Sequence, residues 1–282
     1  MVVPIFFHVP RCGGSYIYGS TIEYINRTVL KDCPNIRWLQ VWSKEEKRAR
    51  LGTNITRYRI LYTSDIGLDN HIEISDLDFN IITPYFIEIC PAGFRNYKED
   101  ILSKLPQNIK LHPFMCLRDP YSHIRSMYDY LTSSASSHEA THLPLMVKSP
   151  TGKVYTFEEF LTYSEEPQYR KYVWSNWLIR NIVDLNTECS DYRSVTYDDF
   201  QKAIQALEGV EIWNIGDIDK KLGELFDNCY GVDVSTININ VYKNPSTCKN
   251  KLEFNDLSAA IKSDFLEHTY WERRLYKILT TS

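Results

Sequence analysis

The sequence predicts an α/β fold, a central and mostly parallel sheet flanked by helices, built as a single domain over residues 1–282. Three observations lead there. Short β-branched or aromatic runs alternate along the chain with stretches of helical periodicity, the signature of successive βαβ units. Residues 2–29 pass from an apolar run through Pro-Arg-Cys-Gly-Gly into an amphipathic stripe, a strand, turn and helix in order. No internal repeat and no long low-complexity linker divides the chain, whose length is ample for one large core with surface insertions.

The first strand is V-V-P-I-F-F-H-V, residues 2–9, apolar and β-branched and closed by Pro10. From Ser15 onward Tyr18, Ile22, Ile25 and Val29 recur at helical spacing, which predicts a helix over 15–29. Further strands are expected at 58–63, 79–89, 110–117, 193–197 and 210–215. Helices are expected at 43–50, 97–104, 121–132, 156–163, 168–185, 199–207, 218–229 and 256–279. Residues 132–153, rich in Ser, Thr and His, read as a polar loop insertion, either a substrate lid or an idle surface loop.

Composition excludes several classes. With 24% charged residues, 43% hydrophobic ones and a net charge of −4, the chain shows neither the pattern of disorder nor bulk attraction to nucleic acid. Any anion site must be local. Seven cysteines without C-x-x-C spacing argue against a zinc ribbon and against a complete disulfide framework, so reduced thiols are expected. No signal peptide and no membrane segment of about 18 apolar residues is visible, and a cytoplasmic protein is expected. Two sequons, at Asn26 and Asn54, keep a Golgi-lumenal domain lacking its membrane anchor as the alternative.

Gly13-Gly14 before a helix is either a tight turn or a place where backbone N–H groups meet an anion at the helix N-terminus. Arg11 favours the anion, because a fixed cation there adds charge-assisted bonds that a plain turn does not need. The magnesium-triphosphate signature G-x-x-x-x-G-K-[ST] is absent. A second basic junction follows at residues 117–126, L-R-D-P-Y-S-H-I-R-S. There Asp119 caps a helix beginning at Pro120, with Ile124, Met127, Tyr128 and Leu131 as its buried stripe. Arg118 then stands at the strand end and Ser126 on the face opposite the stripe, suited to a phosphate monoester; an Arg118–Asp119 bridge beside a solvent-facing serine is the plainer alternative.

Together, F-F-H-V-P-R-C-G-G-S at 6–15 and L-R-D-P followed six residues later by serine resemble the two nucleotide motifs of the PAPS-dependent sulfotransferases. Most carbohydrate-directed members carry lysine where this chain has Arg11, whereas protein-tyrosine sulfotransferases carry P-R-S-G-T-T. Residues 85–94, Y-F-I-E-I-C-P-A-G-F, are similar to the E-K-[ST]-P-x-Y-F segment of heparan-type members, whose glutamate maps onto Glu88; Ile89 stands in place of that lysine. Residues 174–182, W-S-N-W-L-I-R-N-I, resemble the N-x-x-x-R-x-L helix of membrane-associated carbohydrate sulfotransferases, and the resemblance runs loosely to the C-terminus.

The resemblance implies a P-loop-like three-layer fold and sulfuryl transfer from 3′-phosphoadenylyl sulfate (PAPS) to an acceptor hydroxyl, with 3′,5′-ADP as product and no metal. It implies that the loop of Arg11, Cys12, Gly13, Gly14, Ser15 and Tyr16 holds the 5′-phosphosulfate and that Arg118 and Ser126 hold the 3′-phosphate. Arg11 would also stabilise the bridging oxygen, and Glu88 would be the catalytic base, with His8, His71 and His112 in reserve. A capping or ion-paired glutamate is the competing account of Glu88, and a core residue that of His8. The expected partner is an acceptor glycan, a neutral one because no basic groove is evident; protein tyrosine and small metabolites are the other hydroxyl-bearing candidates. Tyr85, Phe94, Trp174 and Trp177 are rings able to stack on a sugar or fill a core.

One motif competes. Residues 138–142 read H-E-A-T-H, the zinc-protease pattern, with Glu158 or Glu159 as a possible third ligand. Its setting, S-S-A-S-S before it and Leu-Pro after it, lacks the apolar stripe such a helix needs. A non-catalytic nucleotide-binding module is the third class.

Overall fold

In Val2–Phe7 the side-chain alternation of a strand sends Phe6 to one face and Ile5 and Phe7 to the other, all of them buried. The structure, a computed structural model, describes residues 2–25, 36–42, 56–64, 68–69, 71–94, 96–134, 151–162, 174–183, 185, 194–231 and 252–281. In chain order the elements are β1 (Val2–Phe7), α1 (Gly14–Tyr24), β2 (Ile36–Trp42), β3 (Thr56–Thr63), β4 (His71–Glu73), β5 (Thr83–Ile89), α2 (Tyr97–Asp100) and β6 (Lys110–Leu117). They continue with α3 (Pro120–Ser134), α4 (Phe157–Thr162), α5 (Trp177–Ile182), α6 (Tyr197–Ala206), β7 (Glu211–Asn214), α7 (Ile218–Tyr230), α8 (Ala259–His268) and α9 (Tyr270–Thr281).

The chain forms two compact units. The first comprises Met1–Leu117, Asn181–Asp184 and Gln205–Asn244. Its seven strands lie in the order β4-β2-β3-β5-β1-β6-β7. Strands β5, β1, β6 and β7 run parallel, β3 is antiparallel to both β2 and β5, and β4 is parallel to β2. The sheet is therefore mostly parallel, as the alternation of strands and helices predicts.

One face of that sheet carries Phe6, Phe86, Phe114 and Trp213, and packs against Ile17 and Tyr24 of α1 and Leu222 and Phe226 of α7. The α1 stripe differs from the expected one. Ile17, Tyr24 and Ile25 are buried, while Tyr18 and Ile22 are half-buried, and Val29 lies outside the described residues. On the other face Phe7 meets Phe94 and Tyr97, with ring centroids 5.6 and 4.8 Å apart.

The second unit comprises Arg118–Arg180, Leu185–Ile204 and Pro245–Ser282. Its core joins Ile124, Met127 and Leu131 of α3 to Phe157 and Phe160 of α4, Trp174, and Ile261 and Phe265 of α8. The predicted α3 stripe is thus the buried one. Asp119 caps this helix as expected, its carboxylate accepting the Ser122 N–H at 3.0 Å.

Elsewhere the sequence expectations shift. Residues 36–42 form β2 rather than a connection, and of the strand expected at 193–197 the described part, 194–197, is not a strand: Thr196 and Asp199 cap α6 reciprocally, the Thr196 N–H bonding the carboxylate at 2.9 Å and the Asp199 N–H the hydroxyl at 3.3 Å. The helix expected at 256–279 breaks at Thr269, because the His268 carbonyl turns to accept from Ser175 Oγ at 3.0 Å and Asn176 Nδ2 at 2.8 Å. The helix expected at 43–50, most of loop 132–153 and the H-E-A-T-H segment lie outside the described residues. Among the described residues no helix is long and apolar enough to cross a membrane. Cys12, Cys90, Cys116 and Cys229 form no disulfide among the described residues.

Candidate functional site

The chain leaves β1 through a turn in which the Cys12 N–H donates to Val9 O at 3.1 Å. Pro10 occupies the second place of this turn and Arg11 the third, with φ 66°, the left-handed position that a type II turn reserves for glycine. Holding arginine there costs about 1 kcal/mol. Gly13 is likewise left-handed at φ 83° and forms the N-cap of α1; a Cβ at this position would sit 2.6 Å from Ile218 Cδ1. Gly14 serves a different need. A Cβ there would fall 2.0 Å from His8 Nε2, so residue 14 is glycine because the imidazole lies against its Cα.

The Cys12 N–H closes the turn, and the Tyr16 N–H donates to Gly13 O at 3.0 Å. Gly13, Gly14 and Ser15 present their N–H groups at the first turn of α1, where a helix lacks acceptors of its own. The Tyr16 hydroxyl donates to Asp219 Oδ1 at 2.5 Å, tying α1 to α7, and burial together with that bond raises the phenol's pKa. The Cys12 side chain is buried.

This loop stands at the carboxyl end of β1, between two parallel neighbours, β5 and β6. From β1 the chain passes to the far strands β2, β3 and β4, returns inward to β5, and then crosses β1 to β6 and β7 on the other side, so the connections that leave β1 and β6 run toward opposite edges of the sheet. In open α/β sheets the crevice at such a reversal is where ligands bind.

Glu88 lies on the same sheet face as Phe6 and is wholly buried, at 0% exposure. Register explains its company. Arg59 of β3 is directly opposite Glu88 across the antiparallel pair, and its Nη1 lies 3.2 Å from one carboxylate oxygen and 3.4 Å from the other. His8, two residues beyond the Phe6 partner, brings Nδ1 to 2.5 Å from Glu88 Oε1 and stacks on the Phe6 ring. Burial acts to lower the Arg59 pKa, but the charge of Glu88 and its hydrogen bond, helped by Cys90 and Tyr18, raise it on balance. Burial and the Glu88 charge push the Cys90 thiol up to about 12 and raise the Tyr18 phenol. Tyr18 also receives the Arg59 guanidinium 5.7 Å above its ring.

Sequence reasoning singled out Glu88 and His8 separately and missed Arg59. Its signal was a lone charge inside the otherwise apolar strand run at 58–62, which requires a buried partner. The reserve histidines are elsewhere: His71 is exposed, and His112 Nε2 bonds Glu211 at 2.9 Å.

Arg118 is the residue after β6, and its Nε is buried with no hydrogen-bond partner among the described residues. Asp119 spends its carboxylate on the α3 cap instead of on Arg118. Ser126, on the face opposite the predicted stripe, is 4% exposed, so it is not the solvent-facing serine of the plainer alternative. Three of the four rings proposed as sugar platforms are core: Phe94 packs on Phe7, Trp174 stacks on Phe265, and Trp177 meets His123 edge-on, while Tyr85 is half-buried. Glu159 caps α4 through Thr156 and pairs with Lys153 at 3.1 Å. Among the described residues no three His, Cys, Asp or Glu side chains are grouped to hold a metal ion.

No family model matches the chain, and neither does any curated protein or solved structure.

Proposed function

We propose that this protein is a PAPS-dependent sulfotransferase with a P-loop-like three-layer core, acting on an acceptor hydroxyl of a carbohydrate. The observation that carries the reading is the loop after β1. It holds Arg11 in the strained left-handed region two residues before Gly13, the N-cap of α1, at the switch point of the sheet. A plain connection would place glycine at that left-handed position.

In this reading the N–H groups of Gly13, Gly14 and Ser15 hold the 5′-phosphosulfate. Arg11 stabilises the charge that grows on the oxygen bridging sulfur and phosphorus. Because guanidinium stays protonated, Arg11 acts by charge and hydrogen bonding rather than as a proton donor. Arg118 and Ser126 are assigned to the 3′-phosphate on the sequence motif, with the unpartnered Arg118 Nε as support. PAPS supplies the sulfuryl group, and protein cations take the role that magnesium has in phosphoryl transfer.

The test is transfer of radiolabelled sulfuryl from PAPS to a panel of neutral glycans, anionic glycans, tyrosyl peptides and small phenols. Transfer to a glycan, lost in Arg11→Ala, supports the proposal. Binding of 3′,5′-ADP with no transfer to any acceptor would instead mark a non-catalytic nucleotide-binding module.

A further inference from the structure

We infer that His8 is the general base of the transfer and that Glu88 is a positioning residue acting through it. The inference rests on the sulfotransferase reading and specifies its proton path. Glu88 is completely enclosed, and its oxygens are held by His8 Nδ1 at 2.5 Å and Arg59 Nη1 at 3.2 Å. A carboxylate so placed has neither a path to an acceptor hydroxyl nor an oxygen free to take its proton. His8 stands between it and solvent, with 23% of its side chain exposed.

The bond geometry fixes what His8 can do. With Nδ1–H donated to the buried carboxylate, the neutral ring carries its lone pair on Nε2. That nitrogen lies against Gly14, the first residue of α1, where any side chain would cover it: a Cβ would be 2.0 Å from Nε2 and 2.3 Å from Cδ2. The lone pair is therefore held beside the N–H groups assigned to the donor. The charges facing the ring are those of Glu88 on β5 and Arg59 on β3, with Tyr18 of α1 and Cys90 further along the same group.

In the step, the acceptor oxygen forms a bond to sulfur as the bond from sulfur to the 5′-phosphate oxygen breaks. The hydroxyl proton passes to His8 Nε2, and 3′,5′-ADP departs with the electron pair. Glu88 stabilises the resulting imidazolium, and Arg59 Nη1, 3.2 Å from the other carboxylate oxygen, holds the carboxylate in place. This is the division of labour of the acid–histidine pair in hydrolases, with the carboxylate orienting and the imidazole carrying the proton.

The experiment compares wild type, His8→Asn and Glu88→Gln in sulfuryl transfer from PAPS to the best acceptor of the panel across a pH series. Thermal stability and 3′,5′-ADP affinity are followed in parallel. Asparagine places an amide N–H where Nδ1–H was, so Glu88 keeps its partner while Nε2 is removed. His8→Asn should bind 3′,5′-ADP as wild type does and lose about 10²–10⁴-fold in kcat, without the wild-type rise of rate on the acid side. Glu88→Gln should lose less, about 10–100-fold in kcat, with 3′,5′-ADP affinity unchanged. A His8→Asn protein that transfers at the wild-type rate, or a Glu88→Gln protein that is dead while His8→Asn is active, overturns the inference and returns the base to Glu88. If wild type neither binds 3′,5′-ADP nor transfers sulfuryl, the nucleotide reading fails and this assignment falls with it.

Discussion

Replacing Gly14 with alanine isolates the tightest packing relation in the site. The new methyl carbon would sit 2.0 Å from His8 Nε2, 2.3 Å from Cδ2 and 2.8 Å from Cε1, more than 1 Å inside ordinary contact for the nearest two. Either the imidazole moves and its 2.5 Å bond to the buried Glu88 stretches, or the start of α1 shifts away from β1. Overpacking of this kind costs about 1–3 kcal/mol, and alanine returns at most about 1 kcal/mol in helix propensity. A net loss of about 2 kcal/mol lowers the melting temperature by roughly 4–8 °C at this chain length. The decisive arm is a double-mutant cycle: in a His8→Ala background the obstacle is gone, so Gly14→Ala should be neutral or stabilising. Equal cost of Gly14→Ala in both backgrounds, or no cost in either, would refute the argument that His8 dictates glycine at this position.

Other consequences are as definite. Burial of Glu272 raises its pKa to about 7, outweighing the opposing pull of the Leu178 N–H, Arg180 and the Trp177 backbone. Its folded value lies above the unfolded one, so its contribution is full below about pH 4.5 and lost as pH rises through 7; wild type should lose about 3 kcal/mol across that window, and denaturant titrations of Glu272→Gln should lack that slope. Asn176 holds φ 51° while its side chain donates to His268 O and accepts from the Glu272 N–H, both at 2.8 Å. Asn176→Ala should cost about 2–4 kcal/mol in denaturant unfolding and Asn176→Gly less, since glycine restores the backbone but not the bonds; equal costs would locate the effect in the hydrogen bonds alone. Arg59→Met strips the buried Glu88 of its guanidinium partner and, with Arg59 a third exposed, should cost about 1–3 kcal/mol, readable from melting curves.

The strand-to-helix junctions were legible because their signals are local. Proline, glycine and an aspartate cap act within a few residues, and both α1 and α3 begin where those residues place them. What escaped was long-range. Positions 8, 59 and 88 come together only through the register of β1, β5 and β3, and the strand at 36–42 that completes the antiparallel part went unread although Leu39 and Val41 alternate into the core. Ring identity likewise does not report burial: Phe94, Trp174 and Trp177 have the chemistry of sugar platforms, and the packing of both units consumes them. The break at Thr269 was invisible because its cause, the capture of the His268 carbonyl, comes from residues about 90 positions earlier.

The most direct test of the central claim is the thermal shift produced by 3′,5′-ADP beside 5′-AMP, ATP and zinc, in wild type and in Arg118→Ala. At a hundred times its Kd a ligand stabilises by about 2.7 kcal/mol, a shift of several degrees in a chain of this length. The sulfotransferase account predicts a shift with 3′,5′-ADP that exceeds the one with 5′-AMP or ATP and disappears in Arg118→Ala. A protein indifferent to 3′,5′-ADP but stabilised by zinc would contradict it and direct attention to the histidines at 138 and 142.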